Sequence, residues 1–181
     1  METTETPSYY VYRIDASDVL SFVSPEWVHF AQSNEAPELT EANVVGKPIW
    51  DFITGEVART LYGSLFSNLR SRRGEMAIPF RCDAPSAVRH MTLTLRSMNG
   101  RAIECEGRLD RIEPREPVAI LSRGVARSQD SIPICSLCRR MAIFEEWLEV
   151  RAAIVRKRLF NAMSLPRLEE TVCPECKCVG G

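Results

Sequence analysis

The chain has 181 residues, a formal net charge of -1 and a pI near 6.2, with 45% hydrophobic and 26% charged residues. That length suits one main core plus a small appendage and excludes two full-sized enzyme domains, while the composition excludes a disordered or fibrous protein. The charge offers no global attraction to nucleic acid or to an anionic membrane, so binding of that kind would need a local basic patch.

The amino-terminal "METTETPSYYVYRID" has neither a basic leader nor an apolar segment, and no run approaches the roughly 20 apolar residues of a membrane span. A cytoplasmic protein without a membrane contact is the expectation. "YYVYRID" and "VLSFVS", separated by the polar turn "ASD", predict two short strands joined as a hairpin. In "SPEWVHFAQSN", Ser24 suits a helix N-cap and Pro25 the first helical position, so a short helix begins there. The polar stretch 34–43 predicts a loop, and Gly46 and Pro48 break "VVGKPIWDFI" into short turns.

"GEVARTLYGSLFSNLRSRR" predicts an amphipathic helix with Val57, Leu61, Leu65, Phe66 and Leu69 inside and Arg59, Arg70, Arg72 and Arg73 outside, stopping at Gly74. Three strands follow, over 75–83, 88–98 and 101–113. "APSA" and the hairpin signal Asn99-Gly100 separate them, and Met91, Leu93 and Leu95 alternate with polar residues in the middle one. A front hairpin and a rear meander form one antiparallel sheet whose face is covered by the helical middle, an α+β domain over 1–113. The stretch 114–133, with Pro114, Pro117 and Pro133, is read as a linker, and 134–181 as a separate module.

This order, together with "W..FA..N" after the second strand and "VVGKPIWDFI" before the long helix, resembles the PAS sensor domain over about Tyr9 to Glu113. The resemblance implies a five-stranded antiparallel sheet cupping a cavity that holds haem, flavin, a small metabolite or nothing in relatives. It also implies signal transfer to a partner or output domain and homodimerisation, and does not imply a catalytic reaction. The ligand of that cavity is left unassigned. Trp27, Trp50, Tyr62, Phe66 and Phe80 are either its lining or plain core, His29 and His90 are better placed near solvent than on haem, and the long helix carries no histidine.

Five of the seven cysteines lie near the carboxyl end. Cys135 and Cys138 form one C-x2-C pair and Cys173 and Cys176 another, with 34 residues between the pairs. Four thiolates on two knuckles satisfy tetrahedral zinc, and a site closed by four cysteines is structural. A thioredoxin-type couple would need a surrounding α/β domain, and iron–sulfur runs space their cysteines more closely; both stay open behind zinc. Cys178 is an alternative to Cys176 as the fourth ligand. "AIFEEWLEVRAAIVRKRLF", 142–160, predicts one amphipathic helix bridging the knuckles, and so few apolar residues predict a tail that needs its metal to fold.

The tail "ICSLCRRM…W.EV…LPRLEETVCPEC" is similar to a short module that follows PAS or receiver domains in some bacterial signalling proteins, except that Glu170 and Thr171 stand where that module has "HG". The implied function is a non-catalytic sensor or adaptor that docks on a signalling partner. The alternative is a nucleic-acid-binding regulator using Arg139, Arg140, Arg151, Arg156, Lys157 and Arg158, although the interleaved glutamates make that patch nearly neutral. No phosphate-binding loop, H-E-x-x-H or nucleophile elbow points to an enzyme.

Overall fold

A computed structural model describes residues 9–161 and 164–177. β1 (Tyr9–Ile14) and β2 (Leu20–Val23) form the front hairpin. Its turn is held by Asp15, whose carboxylate accepts from the amides of Ser17 and Val19. Ser24 caps α1 (Pro25–Gln32) by accepting from the Trp27 amide at 3.2 Å, and the same oxygen accepts from the Val11 amide, tying the helix start to β1. The polar stretch that follows contains a single helical turn, α2 (Glu41–Val44).

α3 (Glu56–Arg72) buries Ala58, Leu65, Phe66 and Leu69, with Val57 and Leu61 half-buried beside them. Arg70, expected on the outer face, instead folds inward to Asp18 at 2.6 Å and to the Asp15 carbonyl, so its side chain is only 11% exposed. β3 (Glu75–Arg81), β4 (Ala87–Ser97) and β5 (Ile103–Pro114) complete a sheet in the order β2-β1-β5-β4-β3, antiparallel throughout. The β4–β5 turn uses Gly100 at φ 68°, a left-handed conformation that glycine adopts without steric cost. Between α3 and the sheet, Tyr12, Tyr62, Phe66, Leu93, Leu95 and Cys105 belong to one packed cluster.

The carboxyl-terminal part is a second sheet rather than a helical bridge. β6 (Arg127–Cys135), β7 (Met141–Ile143), β8 (Glu146–Leu148) and β9 (Leu165–Thr171) assemble in the order β8-β7-β6-β9, with β6 and β9 parallel. The single helix expected over 142–160 is therefore corrected to a β-hairpin followed by a two-turn helix, α4 (Val150–Lys157). The physical reason is cross-strand pairing. Ile134 pairs with Met141, and Met141 and Ile143 are buried with Ala142 turned between them, a period of two that outweighs the helical propensity of the alanines and glutamates. Phe144 turns the hairpin at φ 58°.

A core of Val118, Ile120, Ile132, Ile134, Met141, Ile143, Val150, Ala153 and Ile154 lies under this sheet. Within the stretch 114–133, Val118 and Ile120 thus join the second core, and β6 begins at Arg127. The tail carries more apolar packing than its composition promised.

Candidate metal centre

Each cysteine pair sits where a strand gives way to a tight turn. β6 ends at Cys135, whose amide donates to the Arg140 carbonyl at 2.8 Å while its carbonyl accepts from the Arg139 amide at 2.9 Å. Arg139 takes the left-handed conformation, φ 60°, which lets the chain reverse into β7 and brings Cys138 back beside Cys135. The second pair follows β9: Cys173 precedes α5 (Pro174–Lys177), and the Lys177 amide donates to the Cys173 carbonyl at 3.0 Å, placing Cys176 one turn on. The parallel pairing of β6 with β9, Cys135 beside Thr171, brings the two knuckles together.

The ligand atoms of Cys135, Cys138, Cys173 and Cys176 all lie within 4.8 Å of one another, and the Cys138 and Cys173 sulfurs are 3.7 Å apart. Four sulfurs around a tetrahedral zinc at about 2.3 Å would be separated by about 3.8 Å, so the set could close on such an ion with small adjustments. Cys135 and Cys173 are buried and the other two half-buried. Cys178 lies outside the described residues.

The electrostatics fit a cation. Burial pushes the Cys135 thiol up, but the amides of Cys138, Cys173 and Leu137 turn toward its sulfur and bring its pKa below the ordinary thiol value. Burial raises the Cys138 thiol to about 11, against a lowering by the Arg140 amide and with the neighbouring Cys135 adding to the rise. Burial and the adjacent thiols likewise hold Cys176 well above its ordinary value. The Cys138 and Cys176 thiols therefore resist becoming thiolates beside their neighbours unless a positive ion sits among them.

Around the sulfurs lies a polar frame. Glu170 accepts two hydrogen bonds from Arg139, at 2.8 and 3.1 Å, and one from the Ser136 hydroxyl at 2.9 Å, so the side chain standing in place of the module's "HG" ties the second knuckle to the first. Arg140 pairs with Glu175 and Glu149. The frame continues into the first sheet. The Arg81 amide donates to the Leu137 carbonyl at 2.6 Å, and the Arg81 guanidinium bridges Glu149, at 2.7 Å, and the fully buried carboxylate of Asp83, at 2.6 Å. Arg115 reaches Asp83 from the other side at 3.1 Å. Burial opposes the Arg81 charge, yet its bonds to Asp83 and Glu149 raise its pKa overall.

Cys135, Leu137, Val172 and Cys173 share a hydrophobic cluster with Ile14, Leu65 and Leu95, and Trp147 packs against it. The thiols thus sit against the core of the first sheet. Sequence reading found the four cysteines but not Arg81, Asp83 or Arg115, because nothing local marks contacts such as Arg81 to Glu149, 68 residues apart, or Asp83 to Arg115, 32 apart.

The histidines stand elsewhere. His29 is exposed near the end of α1, and His90 is half-buried beside Glu113 at 3.3 Å; neither reaches the thiols. Of the aromatic residues weighed as a pocket lining, Trp50, Tyr62, Phe66 and Phe80 pack in the first core. Cys105 is buried there beside Tyr12, its thiol pushed up to about 12 by burial.

No protein-family model matches the chain, and no curated protein matches it. Among solved structures, it is similar to the photoactive yellow protein domain of the sensor histidine kinase Ppr from Rhodospirillum centenum, at 10% identity and a TM-score of 0.42, over 55% of this chain and 90% of that one. It is also similar to the Aer2 receptor from Vibrio cholerae, a dual PAS-heme oxygen sensor, at 18% identity and a TM-score of 0.39, over 57% of this chain and 93% of that one. The strand order β2-β1-β5-β4-β3, with the helices inserted between β2 and β3, is itself the architecture that the PAS resemblance implies. The chain has an α+β, PAS-like fold followed by a four-cysteine module.

Proposed function

We propose that the protein is a non-catalytic signalling sensor or adaptor, in which the PAS-like sheet is coupled to a structural zinc module that docks on a partner protein. The observation that carries this reading is the placement of the thiols: they share a hydrophobic cluster with the first sheet, and Arg81 of β3 is bonded to Leu137 inside the first knuckle. A change in the sheet would therefore be felt at the module. All four ligands are cysteines, which leaves no open coordination position and favours a structural over a catalytic ion. Phe144 and Val155, 76% and 59% exposed, give the module an apolar outer surface for a partner or a second copy of the chain.

The nucleic-acid reading is the weaker one. Arg139, Arg140 and Arg156, three of the cations it would use, are already paired with Glu170, Glu175 and Glu146. Among the described residues no helix is long and apolar enough to cross a membrane.

Metal analysis of the purified protein tests the zinc. About one zinc per chain is expected, lost in Cys135→Ser and Cys173→Ser; wild-type protein that folds without metal, and as stably as with it, would overturn the assignment.

A further inference from the structure

A cleft of about 850 Å³ opens between α1, the turn joining β3 to β4, and the cysteine module. It is a different place from the space between α3 and the first sheet, where side chains pack as one cluster. Its volume falls within the range of sites that enclose small organic ligands, roughly 300–1,000 Å³. Both cores reach its wall: Trp27 and Leu39 pack on the first, Leu121 and Leu168 on the second, and all four also face the cleft.

Most charges around it are paired: Asp83 with Arg81 and Arg115, Glu170 with Arg139, and the Arg123 guanidinium with Glu38, while the exposed Glu35 accepts from the neutral Arg123 amide and keeps its charge. Arg89 and Arg127 remain, and among the described residues neither has a carboxylate within ion-pair distance. Arg127 donates to the carbonyls of Pro166, Ile120 and Ser122, and burial lowers its pKa with no counter-charge to offset it. Arg89 donates to the Asn34 side-chain oxygen and lies over the Phe30 ring at 5.6 Å, a planar cation stacked on an aromatic wall. A guanidinium carries five N–H donors; the Asn34 bond uses one, and Arg89 also interacts with the Cys82 thiol.

We propose that this cleft binds a small organic anion, a carboxylate or sulfonate on an aromatic or aliphatic body, with its acidic group at Arg89 and Arg127 and its body against Trp27, Phe30 and Leu121. Because its walls come from both units, such a ligand would bridge them. The inference deepens the sensor reading by naming the class of its input, but it does not depend on partner docking.

The test uses the full-length, metal-loaded chain and two dyes that share their rings, 8-anilinonaphthalene-1-sulfonate and uncharged N-phenyl-1-naphthylamine. Saturable one-to-one binding of the sulfonate is expected, displaced by decanoate. Arg89→Gln should weaken the sulfonate about tenfold while leaving the neutral dye within about twofold, and Arg89→Lys should recover much of the loss. Amide shifts in a nuclear magnetic resonance titration of the wild-type chain read the location without any variant, and should concentrate at 27–39, 82–89 and 121–127. Absence of saturable sulfonate binding, equal loss of both dyes in Arg89→Gln, or shifts centred outside the cleft would overturn the proposal. Normal sulfonate binding by a chain that captures no partner would leave this inference standing and count against docking alone.

Discussion

The two sheets of this protein are built on different principles. In the first, five antiparallel strands and α3 close a large core of long apolar side chains, among them Ile14, Phe66, Leu95 and Ile103. In the second, the three-residue strands β7 and β8 lie to one side of β6, and the parallel β6–β9 pairing on the other is joined at its end by four thiols. A sheet of that size has little area with which to oppose chain entropy, even with nine buried residues beneath it. The difference teaches that the first unit rests on burial, while the second, on the zinc reading proposed above, adds a cross-link between its knuckles.

Metal removal should break that comparison most visibly. On chelation, amide protection is expected to collapse across 134–143 and 165–177 and to persist in β4 and β5; loss of protection in both sheets together would mean that the ion holds the whole chain. The apparent folding contribution of a four-thiolate zinc site is on the order of 10 kcal/mol near neutral pH.

Next in size is Asp83→Ala. The Asp83 side chain is fully buried between Arg81 and Arg115, which are 12% and 8% exposed, so its removal leaves Arg81 with Glu149 alone and Arg115 with no carboxylate among the described residues. A loss of about 3–5 kcal/mol in urea denaturation is expected, with a smaller one for Asp83→Asn, which keeps an acceptor. Equal stability of Asp83→Ala and wild type would show that the buried Asp83 ion pairs have no weight.

Alkaline titration probes the first core through its two buried phenols, with the raised thiols of Cys82, Cys138 and Cys176 adding to any loss in the same direction. Burial, with the neighbouring Cys105 adding to it, raises Tyr12 well above its ordinary value, and burial raises Tyr62 and Cys105 to about 12 each. A raised folded-state pKa for a neutral acid means full stability below the unfolded-state value and loss above it. Stability should therefore be constant up to about pH 8.5 and then fall by a few kcal/mol toward pH 12, since the unfolded-state thiol and phenols ionise at about 8.5 and 10. Ionisation of Tyr12 and Tyr62, followed by ultraviolet absorbance, should coincide with unfolding; ionisation of both in the intact fold would contradict their burial.

The smallest effect is the most local. Gly55 opens α3 at φ 84°, and a Cβ there would stand 2.8 Å from the Glu170 carbonyl oxygen of β9. Gly55→Ala should cost about 1–3 kcal/mol through backbone strain and this approach of the two units, read as a lowered melting temperature. An unchanged melting temperature would mean that α3 and β9 move apart freely.

The legible parts of the molecule were those with local signals. Ser24 followed by Pro25 marks the start of α1, Asn99-Gly100 the β4–β5 turn, and alternation at Met91, Leu93 and Leu95 the buried face of β4. The C-x2-C spacing marks both knuckles because each pair needs only one tight turn. The stretch 142–160 misled because its alanines, glutamates and arginines favour a helix locally, while pairing with β6 is a long-range demand that no local window contains.

Sequence by itself determined the element order of the first sheet, the four thiols and the near-neutral surface, since turns, caps, alternation and ligand spacing act over a few residues. Only the tertiary structure decided that 141–148 is a hairpin, that Arg81 joins the units through Glu149 and Leu137, and that Arg89 and Arg127 face a shared cleft with no carboxylate partner among the described residues. Those outcomes depend on strand pairing and on charges far apart in the chain, whose energies exist only once both partners have been brought together.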